Sequence, residues 1–449
     1  MPGPTPVRRR TTLAATTALA LGVTLAAPVT AQAADRPGDQ PADRTLPERV
    51  ADSLRWPGPL TAPDAWPAEH LSPRSAAPGA PTAPTAPGSG DRSLQEAVQG
   101  VVDDGAVGMT VRVDSASGTT AAAAGRRDIA RKAPAKTNSP FRVASNTKMM
   151  VATTAMQLVE GGAWSLDTTV EDVWPGLIGA RGSQVTVRNL LQHSSGLPDG
   201  VSPLIVANAG GDVTINGAAK ALAADYEPEQ VLQAALAQPW LFEPGTRAVY
   251  SNTGYIVLGM LLEKQTGQPL ARLLEQRIFT PAGMQHTRYA TTPKLTGNSL
   301  VDVLKSDGEA ISLNRFDPEL FAAAGAVVST TEDLGDFTRA LMTGRLVSKQ
   351  TLATMQQTRK VTTAVGPDGT TYSIDYGLGI YRLPDPCQPG SFLWGHDGAT
   401  FGTLSFAVSS ADGTRQVSAG WNGRYINTDG STPYNPDDAL APALLASCG

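Results

Sequence analysis

Apolar residues recur along the chain with two different periods, and each period marks a different element. In SLQEAVQGVVDDG, residues 93–105, Leu94, Val98, Val101 and Val102 share one face of a 3.6-residue repeat, which predicts a helix. VGMTVRVDS, residues 107–115, alternates and predicts a strand. FRVASNTKMMVATTAMQLVE, residues 141–160, has almost no polar side beyond Ser145, the mark of a helix buried in the middle of a domain, and Gly161-Gly162 ends it. Further helices are expected at 187–192, 252–266 (closed by Gly267), 269–278 and 332–343, the last opened by the capping signal STTED. TLSFAVSSADGTRQVSAGWN, residues 403–422, reads as two strands around Asp412-Gly413, and PDDALAPALLASCG closes the chain as a helix. Strands thus come from both ends and helices from between. The expected fold class is α/β: an antiparallel sheet flanked by helices plus a mostly helical subdomain. No internal repeat is visible.

Composition sets the boundaries. A basic start, MPGPTPVRRR, leads into an apolar run and the small-residue site Ala31-Gln32-Ala33, so residues 1–33 read as a secretory signal peptide. Arg8-Arg9-Arg10 leaves general and twin-arginine export both open. Residues 34–92 carry 12 of the 35 prolines and are expected to form a largely disordered Pro/Ala-rich linker, its first half leaning on the domain through Trp56, Leu60 and Trp66. The folded domain is assigned residues 93–449. No cysteine lies near the cleavage site and no later stretch is long and apolar enough for a membrane anchor, so a secreted, soluble mature protein is expected. A net charge of −5 offers nothing to nucleic acid. Cys387 and Cys448, the only cysteines, read as one disulfide in an oxidising compartment. With His70, His193, His286 and His396 they show no ligand spacing, so neither metal nor cofactor is expected. His193 reads as structural, capping the carbonyls of the helix before it.

Ser145 and Lys148 stand one helical turn apart at the head of the buried helix. A serine hydroxyl is a weak nucleophile until a base takes its proton, and a lysine serves as that base only when neutral. Burial and the positive end of a helix both favour the neutral amine. Ser-x-x-Lys alone is a weak signal. Tyr250-Ser251-Asn252 opens a later helix, however, and His396-Asp397-Gly398 lies on an expected strand next to the final hairpin.

These three motifs, in this order, resemble the signature of the penicillin-recognising serine hydrolases of the class C β-lactamase type. VTVRNLLQHSSGLPDG, FTPAGMQHTRY and AGAVVSTTEDLGDFTRALMTGRL are similar to flanking segments of that family. Residues 93–449 look most like the secreted D-alanyl-D-alanine carboxypeptidases of Streptomyces. The resemblance implies Ser145 as the acylated nucleophile and Lys148 as acceptor of its proton. It implies Tyr250 as proton shuttle to the leaving amine and His396 as keeper of positive potential near Tyr250. Which of Lys148 and Tyr250 is the base stays open. Asn252 would hold the substrate carbonyl and Lys148, and the N–H groups of Ser145 and Ala399 would form the oxyanion hole. Where carboxypeptidases have His-Thr-Gly and a further threonine, this chain has Asp397 and Ala399 around Gly398. The arginine that would hold a terminal carboxylate is Arg382, unless the register falls on Tyr381. The implied ligands are peptidoglycan stem peptides or other small acyl substrates, and β-lactams, bound by a monomer. An esterase, amidase or β-lactamase, or a non-catalytic sensor of penicillin or peptidoglycan, is the alternative.

Overall fold

The computed structural model describes residues 89–130, 132–365, 371–427 and 431–449. The expected signal peptide, and the linker up to residue 88, lie outside them. Helix α1 (Ser89–Asp103) starts four residues before the boundary read from the sequence and buries Leu94, Val98 and Val101, as its periodicity requires. Strands β1 (Gly108–Ser115) and β2 (Gly118–Gly125) follow as a hairpin, and the rest of the main sheet is built from the C-terminal third of the chain. Its strands are β3 (Arg359–Val365), β4 (Thr371–Tyr376), β5 (Tyr381–Pro384), β6 (Phe392–Ala399), β7 (Thr403–Ser410) and β8 (Gln416–Asn422). The order is β2-β1-β8-β7-β6-β5-β4-β3, antiparallel throughout. β1 and β8 bridge the two ends of the chain, with Val111 opposite Ala419.

Each face of this sheet carries its own core. On one, α1 and the last helix (Asp437–Ala446) cover Met109, Val111, Phe406, Val408 and Trp421. On the other, Trp394 and Ala407 join a larger core with α2 (Thr147–Glu160), α3 (Asn252–Thr266) and α4 (Thr331–Met342). Burial on both sides explains why β1 is buried at Thr110 as well as at its apolar positions. α2 buries nearly its whole circumference, and Thr153 and Thr154 fit because their hydroxyls donate to the carbonyls of Met149 and Met150. α4 starts where its capping signal lies, Thr330 accepting from the Asp333 N–H. α3 ends at Gly267 in the left-handed conformation, φ +66°.

The helix expected at 269–278 is longer and irregular. A short α segment (Leu270–Leu274) passes through a wide turn (Glu275–Phe279) into Thr280–Ala282, where Pro281 sits in a first-turn position that tolerates it. Helices at Val187–Leu191, one residue short of the expected 187–192, and at Val201–Ala209, Ile215–Leu222 and Pro228–Leu236 add to the helical region. Among the described residues no helix is long and apolar enough to cross a membrane. Cys387 and Cys448 are bonded, joining the loop between β5 and β6 to the residues just beyond the last helix.

Candidate active site

Ser145 sits on a single 3-10 turn, Ala144–Asn146, squeezed between a short strand and α2. That strand, Phe141–Arg142, pairs with Val327–Ser329 and is pinned by a buried ion pair from Arg142 to Asp302 at 3.1 Å. Arg142 also donates to the carbonyls of Pro293 and Phe316. The turn is tight enough to force Ala144 to φ +47°, a region that residues with a Cβ avoid. β6 presses on it from the sheet. A methyl at Gly398 would lie 2.3 Å from the Val143 carbonyl oxygen and 2.9 Å from the Ser145 nitrogen, so glycine is required for this approach. Ser405 on β7, opposite Gly398, donates to the Val143 carbonyl at 2.7 Å and accepts from Asn146 at 2.9 Å.

Lys148 is fully buried. Its Nζ lies 2.9 Å from Ser145 Oγ, 2.9 Å from Asn252 Oδ1 and 2.9 Å from the Ala324 carbonyl oxygen. The rings of Tyr250 and Tyr255 face it, centroids at 4.9 and 5.6 Å. Burial drives its pKa down from 10.5 to about 7, against the opposing pull of Asp199 and Asp397. Two of the three neighbours are carbonyl oxygens and only accept. A neutral amine has two N–H bonds for them and one lone pair, which then faces the Ser145 hydroxyl.

Tyr250 is half-buried; burial, with Asp397 adding to it and Ser145 opposing it, holds the phenol well above its ordinary pKa. The segment carrying it is gripped by the loop 193–199. His193, itself at φ +54°, stacks on the Tyr250 ring at 4.1 Å. Its carbonyl accepts from the Val249 N–H (3.0 Å) and its Nδ1 from the Ser251 N–H (3.3 Å). Asp199 accepts from the backbone N–H of Asn252 (2.8 Å) and from its Nδ2 (3.0 Å). That second bond fixes the Asn252 amide with its oxygen toward Lys148. His193 closes the helix before it through its backbone, its N–H donating to the Leu190 carbonyl at 3.5 Å, while the left-handed turn swings its ring toward Tyr250. Asp199 and the Ala324 carbonyl were not foreseen. HSSGLPD carries no catalytic motif of its own, and a backbone carbonyl leaves no mark in a sequence.

On β6, buried His396 directs Nδ1 to its neighbour's carbonyl, that of Asp397, at 2.5 Å, and Nε2 lies 3.1 Å from the Tyr376 hydroxyl. Its ring is 6.2 Å from that of Tyr250. Asp397 lies beside the Tyr381 hydroxyl, whose pKa burial and this carboxylate hold well above normal. Arg382 points elsewhere: it pairs with Asp375 at 3.3 Å and stacks over Phe392 at 4.0 Å. The register places Tyr381, not Arg382, beside the histidine motif, and the Arg382 guanidinium is engaged by Asp375 instead of by Asp397.

Known proteins share this framework. Penicillin-binding protein 4* of Bacillus subtilis (strain 168) is 34% identical over 164 residues, 36% of this chain and 34% of its own length. A putative D-alanyl-D-alanine carboxypeptidase of Escherichia coli (strain K12) is 30% identical over 171 residues, 36% of each chain. The chain thus spans about a third of the length of these curated relatives. The solved structure of a D-stereospecific amidohydrolase from Streptomyces sp. superposes with a TM-score of 0.64 at 29% identity, covering 74% of this chain and 94% of that one. The family described as Beta-lactamase matches residues 91–433, and the chain belongs to this family of penicillin-recognising serine hydrolases.

Proposed function

We propose that the chain hydrolyses amides or esters through an acyl-enzyme on Ser145, with Lys148 as the base. The observation that carries this is the Lys148 Nζ, 2.9 Å from each of Ser145 Oγ, Asn252 Oδ1 and the Ala324 carbonyl oxygen: in the neutral amine the two carbonyl oxygens take the N–H bonds and the lone pair is left for Ser145 Oγ. At neutral pH a pKa of about 7 leaves a large share of that amine unprotonated. Tyr250, held protonated, suits an acid rather than a base. Ser145 gives its proton to Lys148 as Oγ attacks the substrate carbonyl. The developing oxyanion is met by the N–H groups of Ser145 and Ala399. Tyr250 then donates to the leaving nitrogen or oxygen and is reprotonated from Lys148. Water reverses the sequence and frees the acid. One Nδ2 proton of Asn252 is held by Asp199, and the other is available to a substrate carbonyl.

Two substrate readings are supported. Similarity to the putative D-alanyl-D-alanine carboxypeptidase supports peptides ending in D-Ala-D-Ala, whereas similarity to the D-stereospecific amidohydrolase supports amides of D-configured groups. The amide reading is preferred, because Arg382 is engaged by Asp375 and no lysine or arginine pairs with Asp397 among the described residues. The N-terminal pattern supports action outside the cytoplasm on small acyl substrates. Fluorescent penicillin followed by peptide mapping tests the acyl-enzyme: the adduct is expected on the peptide containing Ser145. Normal labelling of a folded Ser145→Ala protein refutes it.

A further inference from the structure

Asp397 adjoins Gly398, the residue pressed against the Ser145 nitrogen. Its side chain is 24% exposed, while that of His396 next to it is 2% exposed. The basic groups nearby are committed. Arg382 and Lys360 both pair with Asp375. Lys148 is enclosed by Ser145, Asn252 and Ala324. His396 Nδ1 is 3.5 Å from Asp397 Oδ1, but its proton goes to the Asp397 carbonyl. Tyr250 and Tyr381 are kept uncharged by burial. Among the described residues no lysine or arginine forms an ion pair with this carboxylate. A half-shielded carboxylate with no lysine or arginine paired to it repels a like charge strongly and gains from an opposite one.

Resting on the acyl-enzyme reading above, we propose that Asp397 is a specificity-determining residue that recognises positive charge. The preferred substrates are amides or esters carrying an ammonium or guanidinium group near the scissile carbonyl, and chains ending in a carboxylate are disfavoured. Asp397 and Ala399 are two strand residues apart, a span of about 7 Å. That distance admits a cation on either side of the scissile bond: a free α-amino group on the acyl part, or an amine on the leaving group.

Four matched D-alanyl amides separate these cases. Three are N-acetylated and lose D-alanine (anionic), D-alaninamide (neutral) or 1,3-diaminopropane (cationic). The fourth loses D-alaninamide but has a free α-amino group. At pH 7 and low salt, kcat/KM of at least one ammonium-bearing compound should exceed that of the acetylated neutral one by about tenfold, and the carboxylate compound should trail it by a similar factor. Which ammonium compound gains identifies the side. Asp397→Asn should collapse both ratios, whatever its effect on absolute rates. Ratios that survive this substitution, or a carboxylate compound handled as well as the neutral one by the native enzyme, overturn the proposal. Calorimetric Kd values of the same four compounds for Ser145→Ala and Ser145→Ala/Asp397→Asn proteins should repeat the ordering and its loss. That ordering alongside failed Ser145 acylation would refute the acyl-enzyme reading alone.

Discussion

The two sides of Ser145 handle charge in opposite ways. On the helix side, Lys148 is out of water and each direction of its amine is claimed, two by carbonyl oxygens and one by the serine. On the strand side, Asp397 keeps partial contact with water and has no lysine or arginine partner among the described residues. A buried and fully bonded group has one geometry and a shifted proton affinity, which suits chemistry performed identically on each substrate. A half-exposed, unbalanced charge adds little to the fold and discriminates among what arrives.

The largest effect expected from this contrast comes from breaking the helix side. Lys148→Ala should reduce acylation by at least about a hundredfold, the scale for loss of a general base. In the native protein, acylation should rise with pH through a midpoint near 7, because the neutral amine is the active form and burial has brought its pKa there. A rate flat from pH 5 to 9 would remove Lys148 as the base. Tyr250→Phe should be the next most damaging, and selectively so. Amide turnover should fall by about tenfold more than turnover of an activated ester, whose leaving group needs no proton. Equal losses would remove the tyrosine as acid.

Asp199 acts at one remove and should sharpen the picture. Asp199→Asn keeps an acceptor for Asn252 but removes a charge that raises the Lys148 pKa, so the midpoint of the pH profile should move to lower pH. Asp199→Ala should in addition cost about tenfold in rate, because the Asn252 amide loses the bond that orients it. An unmoved midpoint in Asp199→Asn would separate Asp199 from the lysine. The smallest effect on turnover belongs to Cys387→Ser with Cys448→Ser. A bond spanning 61 residues of chain stabilises by about 4 kcal/mol in the chain-entropy model, so denaturant unfolding should shift while turnover at 25 °C stays near native.

What could be read in the sequence was what local rules govern. α3 has the expected bounds because its end is a left-handed glycine, and α4 falls within one residue of them because its start is a threonine cap. Lys148 was suspect because a lysine on an otherwise apolar helix is anomalous. The rest depended on pairings that no local rule reaches. Asp199 and Asn252 are 53 residues apart, and His193 and Ser251 are 58 apart. Tyr381 and Arg382 could be told apart only by the register of β5 on β6, where a slip of one residue exchanges their roles.

Ala144, His193 and Ala322 are three of the four non-glycine residues with positive φ among the described residues, and all three lie around Lys148: before Ser145, behind Tyr250 and just ahead of Ala324. Glycine would relax each of them, and a search for heat-resistant variants is drawn to such positions. The relief there is small, since the left-handed penalty of roughly 1–2 kcal/mol is largely offset by the entropy that glycine regains on unfolding. What glycine takes away is the narrow choice of backbone angles that keeps a hydroxyl, a ring and a carbonyl aimed at one nitrogen. For anyone evolving this scaffold, these three sites trade longevity against aim, and thermostability is better sought on the outer faces of α1 and the last helix.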